Sequence, residues 1–91
     1  MNQEESDNAS QFQQASAVKK AYQSELMSKA NVVGVGIGYR VVGGQRTDEV
    51  AIVVMVSEKK PAFQLSSQDI LPVEIDGIPV DVQEVGQLHA L

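Results

Sequence analysis

Three glycines alternate within an otherwise β-branched stretch of this 91-residue chain, and glycine-rich segments can bind phosphate. Gly34, Gly36 and Gly38 follow the pattern G-x-G-x-G, whereas a dinucleotide-binding turn needs G-x-G-x-x-G. Tyr39 therefore stands where the third glycine of that turn belongs, and the residues after it continue as a strand instead of opening a helix. The sequence predicts no nucleotide site and no cofactor.

The other residues able to do chemistry are few and scattered. His89 is the only histidine, and a position so close to the chain end predicts a surface role, because a catalytic histidine must be held by burial and by a carboxylate. One histidine, no cysteine and dispersed carboxylates match no metal-ligand spacing. Asp76 and Asp81 flank a turn and are interpreted as a solvated hairpin tip. We therefore predict no catalytic residue and no metal site.

Composition narrows the class of partner. The net charge of −5, from 12 acidic and 7 basic residues, disfavours binding to nucleic acid because phosphate backbones are repelled. No apolar run approaches the ~20 residues that span a bilayer, so membrane insertion is not predicted. The acidic N-terminus is unlike a secretory signal, and the chain has no cysteine, so the cytoplasm is the expected location.

The elements that must position these residues begin with a helix. Residues 1–9 are polar and charged and are predicted to be a disordered tail, which leaves residues 10–91 as a single module. Apolar residues then recur every three or four positions, which predicts an amphipathic helix over residues 11–30. Its apolar face would consist of Phe12, Ala15, Val18, Tyr22, Leu26 and Ala30. Asn31 is a plausible left-handed stop.

Hairpins follow the helix. Residues 32–42 and 50–57 are rich in Val and Ile and predict two strands joined by a seven-residue loop, "GGQRTDE". A short helical turn is expected near residues 66–71, and Asp76-Gly77 between alternating apolar residues predicts a second hairpin. The fold class is therefore α+β, with an N-terminal helix packed on a mostly antiparallel four-stranded sheet in the order α-β-β-α-β-β.

Both long strands raise the question of what covers them. The glycines leave one face of the first strand bare, and we expect the domain's own helix to pack there, with a partner's surface as the alternative. The second strand, "VAIVVMV", has no polar position, as in strands that are covered on both faces. One helix covers one face of a sheet, so a second copy or another domain is expected on the other. The predicted interaction surface consists of Gly34, Gly36, Gly38, Val50, Ile52, Val54 and Val56.

A family resemblance enters at these strands. The strings "NVVGVGIGYRVVGGQRTDEVAIVVMVSEKKP" and "LSSQDILPVEIDGIPVDVQEVG" resemble the N-terminal module that precedes the catalytic domain in a group of bacterial trypsin-like serine peptidases and related proteins. The likeness runs from about residue 25 to 91. It implies a non-catalytic accessory module, because the peptidase domain would begin after the last residue and no catalytic residue of that family falls on this chain.

Two functions are then expected. The first is a non-catalytic protein-interaction module that acts on a peptidase-like domain or associates with a second copy as a homo-oligomer. The alternative is a truncated serine peptidase family member with a pro-segment-like role. In the first case an apolar sheet face and a strand edge would make the contact.

Overall fold

The chain opens with helix α1, Gln3–Met27, in the computed structural model, which describes residues 3–86 and the side chains from residue 9 onward. Residues 3–9, assigned to a polar tail by the sequence, belong to this helix; residues 1 and 2, and His89 near the other end, lie outside the described residues. The helix ends before residue 30. Asn31 has a φ of 69°, so its predicted left-handed conformation is confirmed, but the helix already ends at Met27 and Asn31 does not itself end it.

One face of α1 forms half of the core. Ala15, Val18 and Leu26 are buried, and Phe12 and Tyr22 pack against them, as their spacing predicted. Ala30, which was predicted to extend this face, is exposed because the chain has left the helix by then. Each large buried aliphatic side chain contributes about 1.5–3 kcal/mol of hydrophobic stabilisation. The helix is therefore held by its contact with the sheet.

Strands β1, Val32–Val42, and β2, Gln45–Val56, form a long antiparallel hairpin. The predicted seven-residue loop is wrong, because the turn consists of Gly43 and Gly44 alone. Their φ values of 58° and 79° are those of a tight two-residue turn, and glycine adopts them without steric cost. The first two polar residues after the turn, Gln45 and Arg46, pair with Val42 and Val41, and an irregularity follows before Val50 pairs with Tyr39.

This outer part of the hairpin is held by polar contacts. The Thr47 hydroxyl donates to the Arg40 carbonyl oxygen at 2.8 Å, and the Arg40 guanidinium lies 3.0 Å from the Glu49 carboxylate. A solvent-exposed ladder tolerates such residues, since their side chains need no apolar partner. Polarity alone was therefore a poor indicator of a loop here.

The second half of the chain returns to the sheet. A 3-10 turn, Ser67–Asp69, lies within the range 66–71 where one short helical turn was predicted, and a second 3-10 turn, Ala62–Gln64, precedes it. Strands β3, Glu74–Ile75, and β4, Ile78–Glu84, follow, and Asp76 and Gly77 between them have φ values of 49° and 84°. The predicted Asp-Gly hairpin turn is confirmed.

The sheet order is β1-β2-β4-β3, so β2 lies at the centre. It pairs antiparallel with β1 and parallel with β4, and β3 pairs antiparallel with β4. The α+β fold with one helix on a mostly antiparallel four-stranded sheet is confirmed. No helix in the described part of the chain combines the length and apolarity needed to cross a membrane.

The sheet has two faces, and α1 lies on one of them. We call this side the helix face; it carries the β2 side chains Ile52 and Val54, which are fully buried against the helix. Across β1 it includes Tyr39, whose ring meets the Phe12 ring edge to face at a centroid distance of 5.5 Å. The opposite side, which we call the far face, has no helix of residues 3–86 upon it.

The connection between β2 and β3 is fixed to the end of α1 by one carboxylate. Asp69 Oδ1 accepts a hydrogen bond from the Ala30 amide at 3.0 Å, and Oδ2 accepts one from the Ser66 hydroxyl at 2.7 Å. Lys29 Nζ reaches the neighbouring Gln68 carbonyl oxygen at 2.5 Å. The hydrogen bonds from Ser66 and Ala30 lower the pKa of Asp69, because they stabilise its charged form.

Replacing Asp69 with Asn should lower the melting temperature at pH 7, because the charged acceptor of both bonds is lost. A lowered folded-state pKa stabilises the protein above the unfolded pKa and loses that effect as the pH falls through the folded value. The melting temperatures of wild type and Asp69→Asn should therefore converge as the pH falls below the unfolded value of about 3.9 and through the lowered folded value. Asp48→Asn, the same change at an exposed hairpin position, is the control. A constant difference at every pH would contradict this role of the Asp69 charge.

Candidate functional site

The far face is apolar on its two longest strands. The register sets Gly34 opposite Met55, Gly36 opposite Val53 and Gly38 opposite Ala51. On β4 the same face carries Asp81 and Gln83, which pair with Val53 and Met55. Val53 and Met55 remain partly exposed, although a strand face that meets water normally carries polar residues. This face is the candidate site.

The glycines form a bare strip beside a raised row of side chains on β2. A Cβ atom added at Gly34 would lie 2.8 Å from Met55 Cε, and one at Gly38 would lie 3.4 Å from Val53 Cγ2. Gly36 has more room, since its nearest neighbour would be Met55 Cε at 4.0 Å. The strip is therefore partly filled by the tips of Met55 and Val53, and it stays open at Gly36.

The expectation that the domain's own helix covers the glycines is wrong. Helix α1 packs on the opposite face of β1, where the larger side chains Val35, Ile37 and Tyr39 give it apolar surface to bury. Packing on bare glycines would bury less apolar area and so stabilise the helix less. The glycine strip is left to the far face.

The predicted interaction surface is thus divided between the two faces. Its glycines lie on the far face, but its four β2 residues are core residues on the helix face, with exposed fractions of 3% or less: Val50, Ile52, Val54 and Val56. These four are buried within the chain's own core and are therefore not accessible to a partner. The alternate residues Val53 and Met55, which the sequence reasoning did not select, are the accessible ones.

Asp81 holds the far face in shape at one end. Its Oδ2 atom accepts hydrogen bonds from the Val41 amide at 3.0 Å and from Gln83 Nε2 at 3.1 Å. Since Val41 belongs to β1 and Asp81 to β4, this bond draws the bent end of the hairpin over β2, where Ala51 is fully buried. The interpretation of Asp81 as part of a solvated hairpin tip is wrong. Asp76 does lie in a turn.

The described residues whose pKa is shifted lie away from the far face. The nearby carboxylate of Asp76 raises the pKa of Tyr22, which lies on the helix face, and Asp69 lies in the connection that follows β2. Within residues 3–86, no three acidic or histidine side chains are grouped as metal ligands. The described charged and polar residues form no buried cluster that could act on a substrate.

One pocket of about 330 Å³ opens at the carboxyl ends of β2 and β4. Its wall is mostly aliphatic, with Leu65, Leu71 and Val82 below and Lys59 and Lys60 at the rim. Val56 is the one residue of the predicted interaction surface that lines it. The glycine strip lies on the other face of the sheet, so this pocket is a separate feature.

Comparison with known proteins identifies the fold family. The family model described as the NARROW LEAF 1 N-terminal domain matches residues 13–84, from the middle of α1 to the last residue of β4. The search of curated proteins finds no significant match. The family match corrects the resemblance to a module of bacterial trypsin-like serine peptidases. The assignment of the chain as bacterial and peptidase-associated depended on that resemblance and is not supported. The chain belongs to the NARROW LEAF 1 N-terminal domain family.

Proposed function

We propose that this chain is a non-catalytic protein-interaction module that associates with a second copy through the far face. The observation that carries the proposal is the accessibility of Val53 and Met55 beside the bare strip of Gly34 and Gly36. Burying such apolar surface is favourable by about 25 cal/mol per Å². On the far face of β2 the described residues bury Ala51 but leave Val53 and Met55 partly exposed, so a partner can gain this energy there.

The shape of the far face is self-complementary, because the raised β2 row of one copy can fit the bare glycine strip of another. A two-fold axis parallel to the strands, between β1 and β2, stacks two sheets face to face. Each copy's β2 row, with Val53 and Met55, then lies over the other's glycine strip. Sheets in such stacks are ~10 Å apart, and bare glycines leave room for the facing side chains. A symmetric pair of this kind closes on itself and does not extend into a fibre.

The hairpin bends and charges are compatible with this arrangement. The bend leans toward β4, as the Val41 to Asp81 bond requires, so the two bends pass on opposite sides of the axis. Asp81 also lies on the β4 side, which keeps the two carboxylates apart across the interface. Each copy carries a net charge of −5, so the two copies repel one another, which lowers the affinity of the dimer.

The size of this surface limits the affinity. From strand spacing and rise, the glycine strip and the β2 row together cover on the order of 200 Å². A stable complex buries about 800 Å² per partner. We therefore expect a weak, concentration-dependent dimer with a dissociation constant on the order of 0.1–1 mM.

Met55→Asp should abolish the dimer in sedimentation equilibrium, because it places a carboxylate in the centre of the apolar contact. We expect self-association to weaken at least about tenfold. Met27→Asp is the matched control, because Met27 is 42% exposed and lies at the end of α1, away from the far face. A wild-type chain that stays monomeric at about 1 mM would overturn the proposal. Equal weakening by both substitutions would overturn the assigned face.

Gly36→Val should separate association from folding. A Cβ at this position would meet no atom closer than 4.0 Å within the chain, and valine favours a strand more than glycine does. The free energy of unfolding should stay the same or rise by up to about 1 kcal/mol. The added side chain should block the facing row, so the dimer should weaken. Denaturant unfolding and sedimentation measure the two effects; a more stable chain that dimerises as before would refute the contact at Gly36.

Salt should strengthen the dimer. Two acidic copies repel one another, and raising the ionic strength from about 0.02 to 0.5 M shortens the Debye length from roughly 20 Å to about 4 Å. An apolar contact opposed by like net charges should therefore tighten over this range. Sedimentation equilibrium at both ionic strengths measures the change. Dissociation on adding salt would indicate an interface made by ion pairs, against the proposal.

A further inference from the structure

A second surface lies between α1 and the outer edge of β1, away from the far face. It is a groove of about 500 Å³ with a helical wall and a strand wall. The residues that line it are Ser16, Lys19, Lys20 and Gln23 of α1, and Val35, Gly36 and Ile37 of β1. Grooves between a helix and an edge strand can receive an extended peptide that adds to the sheet.

The edge of β1 offers a template for such an added strand. Strand β1 stands at the end of the sheet order, so one side of its backbone has no neighbour among the described strands. Its pairing with β2 is regular from Gly34 to Tyr39, between two irregularities. Edge strands are usually protected by charged residues, proline or short length. This stretch contains neither charge nor proline and belongs to an eleven-residue strand.

The helical wall of the groove is basic. Lys19 is partly buried and its Nζ donates to Gln23 Oε1 at 3.1 Å, while Lys20 is exposed. Among the side chains described from residue 9 to 86, the one ion pair joins Arg40 to Glu49, so neither lysine has an acidic partner there. Two positive charges thus stand beside the open edge of an otherwise acidic protein.

These lysines decide which strand fits the edge. If two copies paired through β1 around a two-fold axis near Gly36, the Lys19 and Lys20 side chains of both copies would face one another. Like charges that face one another repel, so a second copy is a poor occupant of this edge. A strand with carboxylates on its helix-facing side would instead meet both lysines.

We propose that the groove binds an extended acidic segment of another protein as an additional strand on β1. The segment pairs with the backbone between Gly34 and Tyr39 and is therefore about six residues long. Its Asp or Glu side chains stand at alternate positions and face Lys19 and Lys20. The intervening side chains point toward the far-face side, beside the glycine strip. Backbone pairing supplies the general affinity, and the lysines select the charge.

The test uses fluorescence anisotropy with labelled peptides of about six residues and the full chain. One peptide alternates Glu and Thr, and a second alternates Lys and Thr. Two further versions of the acidic peptide are N-methylated at alternate amides, one in each phase. We expect the acidic peptide to bind more tightly than the basic one and to weaken with salt. One N-methylated phase should lose binding and the other should keep it, because only alternate amides of an added strand face β1.

Charge reversal in the protein completes the test. The double variant Lys19→Glu with Lys20→Glu should bind the acidic peptide at least about fivefold more weakly and should gain affinity for the basic one. Lys59→Glu with Lys60→Glu makes the same charge change at the far end of β2 and should change affinity less than about twofold. Circular dichroism checks that each variant is folded.

Several results would overturn the proposal. Equal binding of the acidic and basic peptides would remove the role of the lysines, and the peptides test this without altering the protein. Equal losses in the two double variants would indicate non-specific attraction to positive charge. Equal effects of the two N-methylation phases would exclude strand addition. Peptide binding should be the same in the Met55→Asp variant, because that substitution changes the far face and leaves the groove intact. The failure of one proposal can therefore be distinguished from the failure of the other.

Discussion

The structure depends on one constraint: strand β2 is apolar on both faces, and the described chain supplies a cover for one. Helix α1 covers the side that carries Ile52 and Val54, because β1 adds larger side chains there and more apolar surface can be buried. The other side keeps Val53 and Met55 beside glycines. The fold and the candidate site therefore have the same origin, since the choice of face by the helix defines the face that is left.

The bend of the hairpin moderates the exposure that results. By bonding the Val41 amide, Asp81 closes the far face over Ala51, so the accessible part is confined to the middle and the opposite end of β2. A carboxylate at an edge of an apolar face also discourages unspecific contacts, because a partner that buried it without a hydrogen bond would incur a desolvation penalty. The same residue thus shapes the surface and restricts what can lie on it.

Much of the fold could be predicted from the sequence because local patterns dictate it. The 3.6-residue period of Phe12 to Leu26 and the Asp76-Gly77 turn each specify one local geometry, and the structure has both. The faces of the long hairpin were mistaken because the polar residues 45–49 were interpreted as a loop. A two-residue turn at Gly43-Gly44 would have placed the glycines on the same side as Ala51, Val53 and Met55.

Other features of the fold could not be predicted from short stretches of the sequence. The bond between Val41 and Asp81 joins residues forty positions apart, and the irregularities in β1 depend on how the strands twist against their neighbours. The parallel pairing of β2 with β4 likewise follows from the route of the connection that Asp69 fixes to α1. These are tertiary properties, so the boundary of the candidate site could not be obtained from the residue pattern alone.

The family match and the corrected resemblance lead to the same conclusion about motifs. The residues that suggested a peptidase module belong to the two hairpins: the alternating glycines lie in β1, and the Asp-Gly turn joins β3 to β4. Such residues report a fold, and function must be argued from surfaces. In this chain β1 carries both of the proposed surfaces. Its glycine side would face a second copy in the proposed dimer, while its backbone edge, perpendicular to that side, lies beside the lysines of α1. Because these directions are independent, occupancy of one need not block the other, and a dimer would present two acidic-peptide grooves at its outer edges. Two linked sites of modest affinity bind a ligand with two acidic segments more tightly than either site does alone. Even a weak dimer would therefore increase the affinity for such a ligand.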